Sequence, residues 1–93
     1  MTRVELHAAT REQYDRLHEL MRGAGFHTVI DGTDGNWHQL PTAEYYYSGN
    51  DTIEAVRAAA AQCAAAVVPR YWVLVTEYTN CAWIGLPAVA RAA

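Results

Sequence analysis

The stretch Trp37-His38-Gln39-Leu40-Pro41-Thr42-Ala43-Glu44-Tyr45-Tyr46-Tyr47-Ser48-Gly49 decides the fold. It reads as two extended runs meeting at a proline corner. Pro41 has no amide hydrogen to give to a ladder, and it biases Leu40 towards an extended backbone. In the second run Tyr45 and Tyr47 share one face, while Glu44 and Tyr46 share the other, which is the period of a strand. A helix pattern lies upstream and another begins directly downstream, so the stretch is expected to be the central hairpin of a small sheet.

Upstream, Asp31-Gly32-Thr33-Asp34-Gly35-Asn36 holds two Asp-Gly pairs, a strong turn signal. Phe26-His27-Thr28-Val29-Ile30 before it is aromatic and β-branched, as strands are. Tyr14, Leu17, Leu20, Met21 and Ala24 recur at helical spacing behind Thr10, which can cap them, and Gly23 and Gly25 end the helix. Val4, Leu6 and Ala8 alternate with Arg3, Glu5 and His7, giving a first strand with one apolar face.

Downstream, Asn50 or Asp51 is the expected cap of a second helix, with Asp51 and Glu54 spaced as a capping box. Ile53, Val56, Ala60, Cys63 and Val67 form its apolar stripe, and Pro69 stops it. Residues 71–76, Tyr-Trp-Val-Leu-Val-Thr, are apolar on both faces, as a central strand should be. Cys81 to Leu86 reads as a short last strand ended by Pro87. The order βαββαβ with an extra C-terminal strand predicts an α+β, ferredoxin-like antiparallel sheet with two helices on one face. Residues 1–87 make one domain and 88–93 a disordered tail.

A chain of 93 residues, 52% of them hydrophobic, can bury a core without metal or disulfide. The net charge is −3, and all seven basic residues are Arg, so no large electrostatic footprint on nucleic acid is expected and DNA is not expected as a partner. Met1 to Glu5 runs straight into a strand pattern, so no leader is expected, and no apolar run is long enough for a membrane. Cys63 and Cys81 stand apart without metal spacing, which suits a reducing cytoplasm.

Two groups of residues invite a chemical reading. His7, His18, His27 and His38 lie on four different elements with no metal spacing, so no metal or other cofactor is expected. His18 lies beside Arg22 on a helix face, and His38 lies near Asp34 and Glu44, so either could serve as an acid–base group. The plainer reading of His18 is a solvated surface residue, and His27 at the start of a strand reads as structural. Tyr45, Tyr47, Trp72 and neighbouring aromatics fall on expected strands, where exposed rings could stack unpaired bases. The plainer reading, favoured by the acidic charge, is that they pack the sheet or a dimer interface. No P-loop, GxGxxG or GxSxG motif is present.

Three stretches carry a family resemblance together: Val4 to Ala8; Leu40 to Tyr45 with Ser48-Gly49-Asn50; and Val73 to Glu77 with Trp83 to Leu86. This pattern resembles the GhoS-like proteins, the endoribonuclease antitoxins of type V toxin–antitoxin systems, over about residues 3–86. The resemblance implies a ferredoxin-like domain that cuts single-stranded toxin messenger RNA without a cofactor. It implies a basic group on the first helix at Arg16, His18 or Arg22; joined to the reading of the residues, this makes His18 or His38 the candidate catalytic group and Arg16, Arg22, Tyr45, Tyr47 and Trp72 the candidate RNA contacts. The alternative expectation is a non-catalytic, homodimeric module that binds a protein such as a toxin.

Overall fold

The computed structural model describes residues 1–89. In chain order it contains β1 (Thr2–Leu6), α1 (Arg11–Gly23), β2 (Val29–Asp31), β3 (Trp37–Gln39), β4 (Glu44–Tyr45), α2 (Ile53–Ala65), β5 (Tyr71–Val75) and β6 (Ala88–Val89). The class is α+β, with two helices and two small antiparallel sheets ordered β4-β1-β5 and β2-β3-β6. Paired backbone bonds of 2.8 Å between His27 and Tyr46 tie the sheets together. Among the described residues no helix is long and apolar enough to cross a membrane.

β1 is the middle of the first sheet because it satisfies both neighbours at once. It pairs with β5 along its whole length, from Thr2 opposite Val75 to Leu6 opposite Tyr71, and with β4 at Thr2 and Arg3. Its alternation does the rest: Thr2, Val4 and Leu6 are buried, while Arg3 and Glu5 turn away. The buried side meets both helices. Leu17 and Met21 of α1, Val56, Ala60 and Ala64 of α2, and Tyr45 and Phe26 form one cluster with Val4 and Leu6. Both helices therefore cover the same face of this sheet, as the apolar stripes require.

The helix starts follow from their caps. Thr10 accepts from the Gln13 amide while the Gln13 side chain accepts from the Thr10 amide, closing a capping box on α1. α2 is capped by Thr52, one residue beyond Asp51 and two beyond Asn50, the expected caps. Asp51 is engaged elsewhere, accepting the Tyr47 hydroxyl proton. Of the expected α2 stripe, Val56 and Ala60 are buried and Cys63 half-buried, whereas Ile53 at the first turn stays exposed.

Three expectations about the sheet are corrected. The stretch 37–49 is not a hairpin: β3 pairs with β2 and β6, while β4 pairs with β1. The chain crosses between the sheets through a turn closed by the Glu44 amide on the Pro41 carbonyl at 3.1 Å. Ala43, at its third position, takes φ 70°, the left-handed conformation that type II turns demand. The hairpin is instead β2–β3 around the two Asp-Gly pairs. β5 is an edge strand of its sheet, not a central one. Finally, Cys81 to Leu86 is irregular, and the last strand is Ala88–Val89, within the expected tail. Pro87 serves it by offering only a carbonyl, which the Gln39 amide takes at 2.9 Å. The rest of the expected tail, 90–93, lies outside the described residues.

α2 approaches the first sheet closely because its inner face is alanine; Ala60 is fully buried. Ala60→Leu should therefore overpack this contact and cost about 1–3 kcal/mol. Leu17→Ala should cost about 2–5 kcal/mol through its cavity, and Ile53→Ala, an exposed position, should stay within about 0.5 kcal/mol. Urea unfolding monitored by tryptophan fluorescence measures all three.

Candidate functional site

α1 places Leu17 and Met21 inwards and so turns His18, one residue on, to the flank of the helix. There its Nδ1 lies 2.5 Å from the Tyr45 hydroxyl. Tyr45 is fully buried, and desolvation raises its pKa far above the ordinary tyrosine value, so it keeps its proton. The O–H donates, His18 Nδ1 accepts, and the imidazole proton belongs on Nε2. Burial also lowers the His18 pKa, against the nearby Asp15 carboxylate and with help from Arg22. The neutral ring is thus held as a donor at Nε2, suited to a phosphate or carbonyl oxygen.

His18 and Arg22 line one cleft of about 320 Å³ between α1 and the corner 39–44, together with Thr28, Gln39, Thr42 and Glu44. Arg16 does not join them. At about 100° per residue it falls on the other flank of α1 from His18, and it is exposed there.

His38 lines a different cleft, of about 520 Å³, between the β2–β3 turn and residues 78–83. Its Nε2 lies 3.1 Å from an Asp34 carboxylate oxygen, its Nδ1 lies 3.1 Å from the Leu86 carbonyl, and its ring packs against Trp83. Both partners are acceptors, so the arrangement is complete only when the imidazole is doubly protonated. The Leu86 carbonyl, opposed by desolvation and aided by Asp34, raises the His38 pKa. Asp34 is lowered by the Asn36 amide first, against desolvation, and by His38. Gly32 makes room: a Cβ there would stand 2.9 Å from the His38 ring and 2.6 Å from Asp34. His38 works as a clamp that ties β3 to the segment before β6. Sequence reasoning placed it beside Asp34 and Glu44; Asp34 is there, whereas Glu44 bonds Arg3 and lines the His18 cleft, and the Leu86 partner, 48 positions away, had no sequence signal.

The aromatic candidates separate in the same way. Tyr45 is in the core and offers no face to a base. Tyr47 is half-buried against Phe26, with its hydroxyl on Asp51. Full burial on the helix-covered side takes Tyr45 out of the RNA-stacking candidates, while Tyr47, beyond β4, packs partly against the same cluster. Trp72 alone of the three is open, 71% exposed on the other face of β5, beside Leu74 at 64%. Arg3, on that face, is held by Glu5 at 3.0 Å and Glu44 at 3.4 Å. Sequence reasoning passed over Leu74, although its two-residue offset from Trp72 was in plain sight.

The two candidate catalytic histidines thus line separate clefts, and among the described residues no group of three His, Cys, Asp or Glu side chains could hold a metal. Compared with protein-family models, curated proteins and solved structures, the chain shows no match.

The histidines should titrate in opposite directions from their ordinary value of about 6.5. NMR titration of the ring protons should place His38 above it and His18 below it. The sign for stability follows. A raised folded pKa means that the His38 clamp stabilises fully below the unfolded value and is lost as pH rises through the folded one. His18, lowered, destabilises as pH falls through its unfolded value, where the unfolded chain binds the proton more readily. The stability gap between wild type and His38→Gln should therefore be widest near pH 6 and narrow above it; a gap that widens towards alkaline pH would refute the clamp.

Proposed function

We propose that this chain is a cytoplasmic, ferredoxin-like domain of the antitoxin type that acts by binding a protein through the open face of its first sheet, without catalysis. The observation that carries this reading is the pair Trp72 and Leu74, exposed side by side on β5. Tryptophan is the side chain most enriched at binding hot spots, and a large exposed apolar pair on a strand is what such a surface needs. The electrostatics agree: the net charge is −3, and Arg3 on this face is already neutralised by two carboxylates. The fold class is supported by the order β5-β1-β4, continued across the Tyr46–His27 bridge, with both helices on one side. Two unpaired cysteines suit the cytoplasm.

A second reading, a metal-independent endoribonuclease, is favoured by one observation. His18 and Arg22 share a cleft, so a guanidinium and an imidazole N–H could hold one phosphodiester there. His38 has no part in it, since both its nitrogens are engaged.

One experiment separates the two. The protein is incubated with unstructured A/U-rich RNA in EDTA, beside His18→Ala and Arg22→Ala, and in parallel used as bait for proteins of its own cell, beside Trp72→Ala/Leu74→Ala. The expected result is intact RNA and a captured protein that the sheet-face variant loses. Cleavage by wild type that His18→Ala abolishes would overturn the binding reading in favour of the nuclease.

A further inference from the structure

The hydrogen-bond phase of β5 fixes which of its backbone groups are spoken for. At one end the His7 amide donates to the Arg70 carbonyl at 2.9 Å; at the other the Thr76 amide donates to the Met1 carbonyl at 2.8 Å. Antiparallel ladders alternate, so the pairs between these ends, Glu5–Trp72 and Arg3–Leu74, are also hydrogen-bonded ones. Consistently, Val4, opposite Val73, sends its amide the other way, to the Ala43 carbonyl at 3.0 Å. The amides and carbonyls of Tyr71, Val73 and Val75 therefore point away from β1, to an edge where no other strand pairs among the described residues.

The strand itself carries none of the residues that usually guard an edge. Tyr71 to Val75 contains no charge, no proline and no glycine, and natural edge strands that must stay single use such residues to blunt themselves. The run is also framed by opposite charges, Arg70 before it and Glu77 after it.

We propose that β5 is a self-pairing edge, along which two copies of this chain join antiparallel about Val73. In this register Tyr71 of each copy hydrogen-bonds with Val75 of the other, and Val73 with Val73, using the outward groups and no others. Trp72 then faces Leu74 of the second copy in the close, non-hydrogen-bonded position, and the reverse pair repeats it, so that both exposed side chains gain an apolar neighbour. Arg70 then lies opposite Thr76 of the second copy at both ends, one residue from Glu77. A parallel arrangement would set Arg70 beside Arg70 instead, so the charge pattern selects the antiparallel one. The two first sheets become one continuous sheet.

The inference rests on the reading of this face as a protein-binding surface, and its test keeps the two apart. Sedimentation of the full chain should show the mass rising with concentration from 10.3 kDa towards twice that value. In hydrogen exchange the Tyr71, Val73 and Val75 amides should slow as the dimer forms, while those of Trp72 and Leu74, already bonded to β1, should not change. Arg70→Glu should weaken association about tenfold, and adding Glu77→Arg to it should restore association. Val73→Pro should abolish association; its lost N–H is one that β1 does not use. Should that variant misfold, the charge pair still decides the question. A chain that stays monomeric at high concentration, or a dimer indifferent to Arg70→Glu, overturns the proposal. A monomer whose captured partner is nonetheless lost in Trp72→Ala/Leu74→Ala overturns it while leaving the binding reading in place.

Discussion

A buried phenol must place its proton somewhere, and in this protein that constraint joins sheet to helix. Tyr45 lies in the middle of the core, among Val4, Leu17 and Phe26. An unmet hydroxyl there would cost about 1–3 kcal/mol. His18 Nδ1 meets it, and the bond fixes both the rotation of α1 over β4 and the tautomer of the ring. Everything that follows at the α1 cleft descends from it. His18 is neutral, presents a donor, and is held by packing. A histidine so placed is better suited to holding a group than to relaying its proton.

Much of the fold was legible because it rests on local rules. The alternation of Val4 and Leu6 with Arg3 and Glu5, the Thr10 cap and the Asp-Gly turn each appear where short-range chemistry puts them, although Ala8, read as the next apolar position of that strand, lies exposed in a turn at φ 54°. What was not legible was set at long range. Whether β3 and β4 face one another depends on Ala43 taking φ 70°, and alanine does not advertise that conformation as glycine does. Whether β5 is central or at an edge depends on what pairs beyond it, and the apolar run of residues 71–75 reads alike in both cases. The last strand was misplaced because Pro87 looked like a stop, whereas a residue that lacks only its N–H can still lend its carbonyl to a ladder.

The site candidates divide along the same line. Helical spacing was enough to put His18 and Arg22 together and to suggest that His38 would meet Asp34. It could not show that the two histidines open onto different clefts, since that depends on the turn between sheets. Alternation sorted Tyr45 and Tyr47 from Tyr46 correctly, yet which side would be dry was decided by where the helices land. The aromatic residue that remains open, Trp72, does so because β5 presents Tyr71, Val73 and Val75 to α2.

That last arrangement makes the two-sided apolar character of β5 intelligible. One side is needed for the core: Tyr71, Val73 and Val75 pack against the buried cluster. The other side, Trp72 and Leu74, contributes little to this chain's own stability while it stands in water, and an edge strand has little structural need of such residues. Polar residues at the two positions would keep the core intact and lower the risk of uncontrolled pairing. Their presence is explained if the exposed face and the open backbone edge are used together. A partner strand laid along β5 would satisfy the outward amides of Tyr71, Val73 and Val75, and would bring cover to Trp72 and Leu74 in the same step. The apolar character on both faces of β5 would then serve two purposes, the core of this chain on one side and a partner strand on the other.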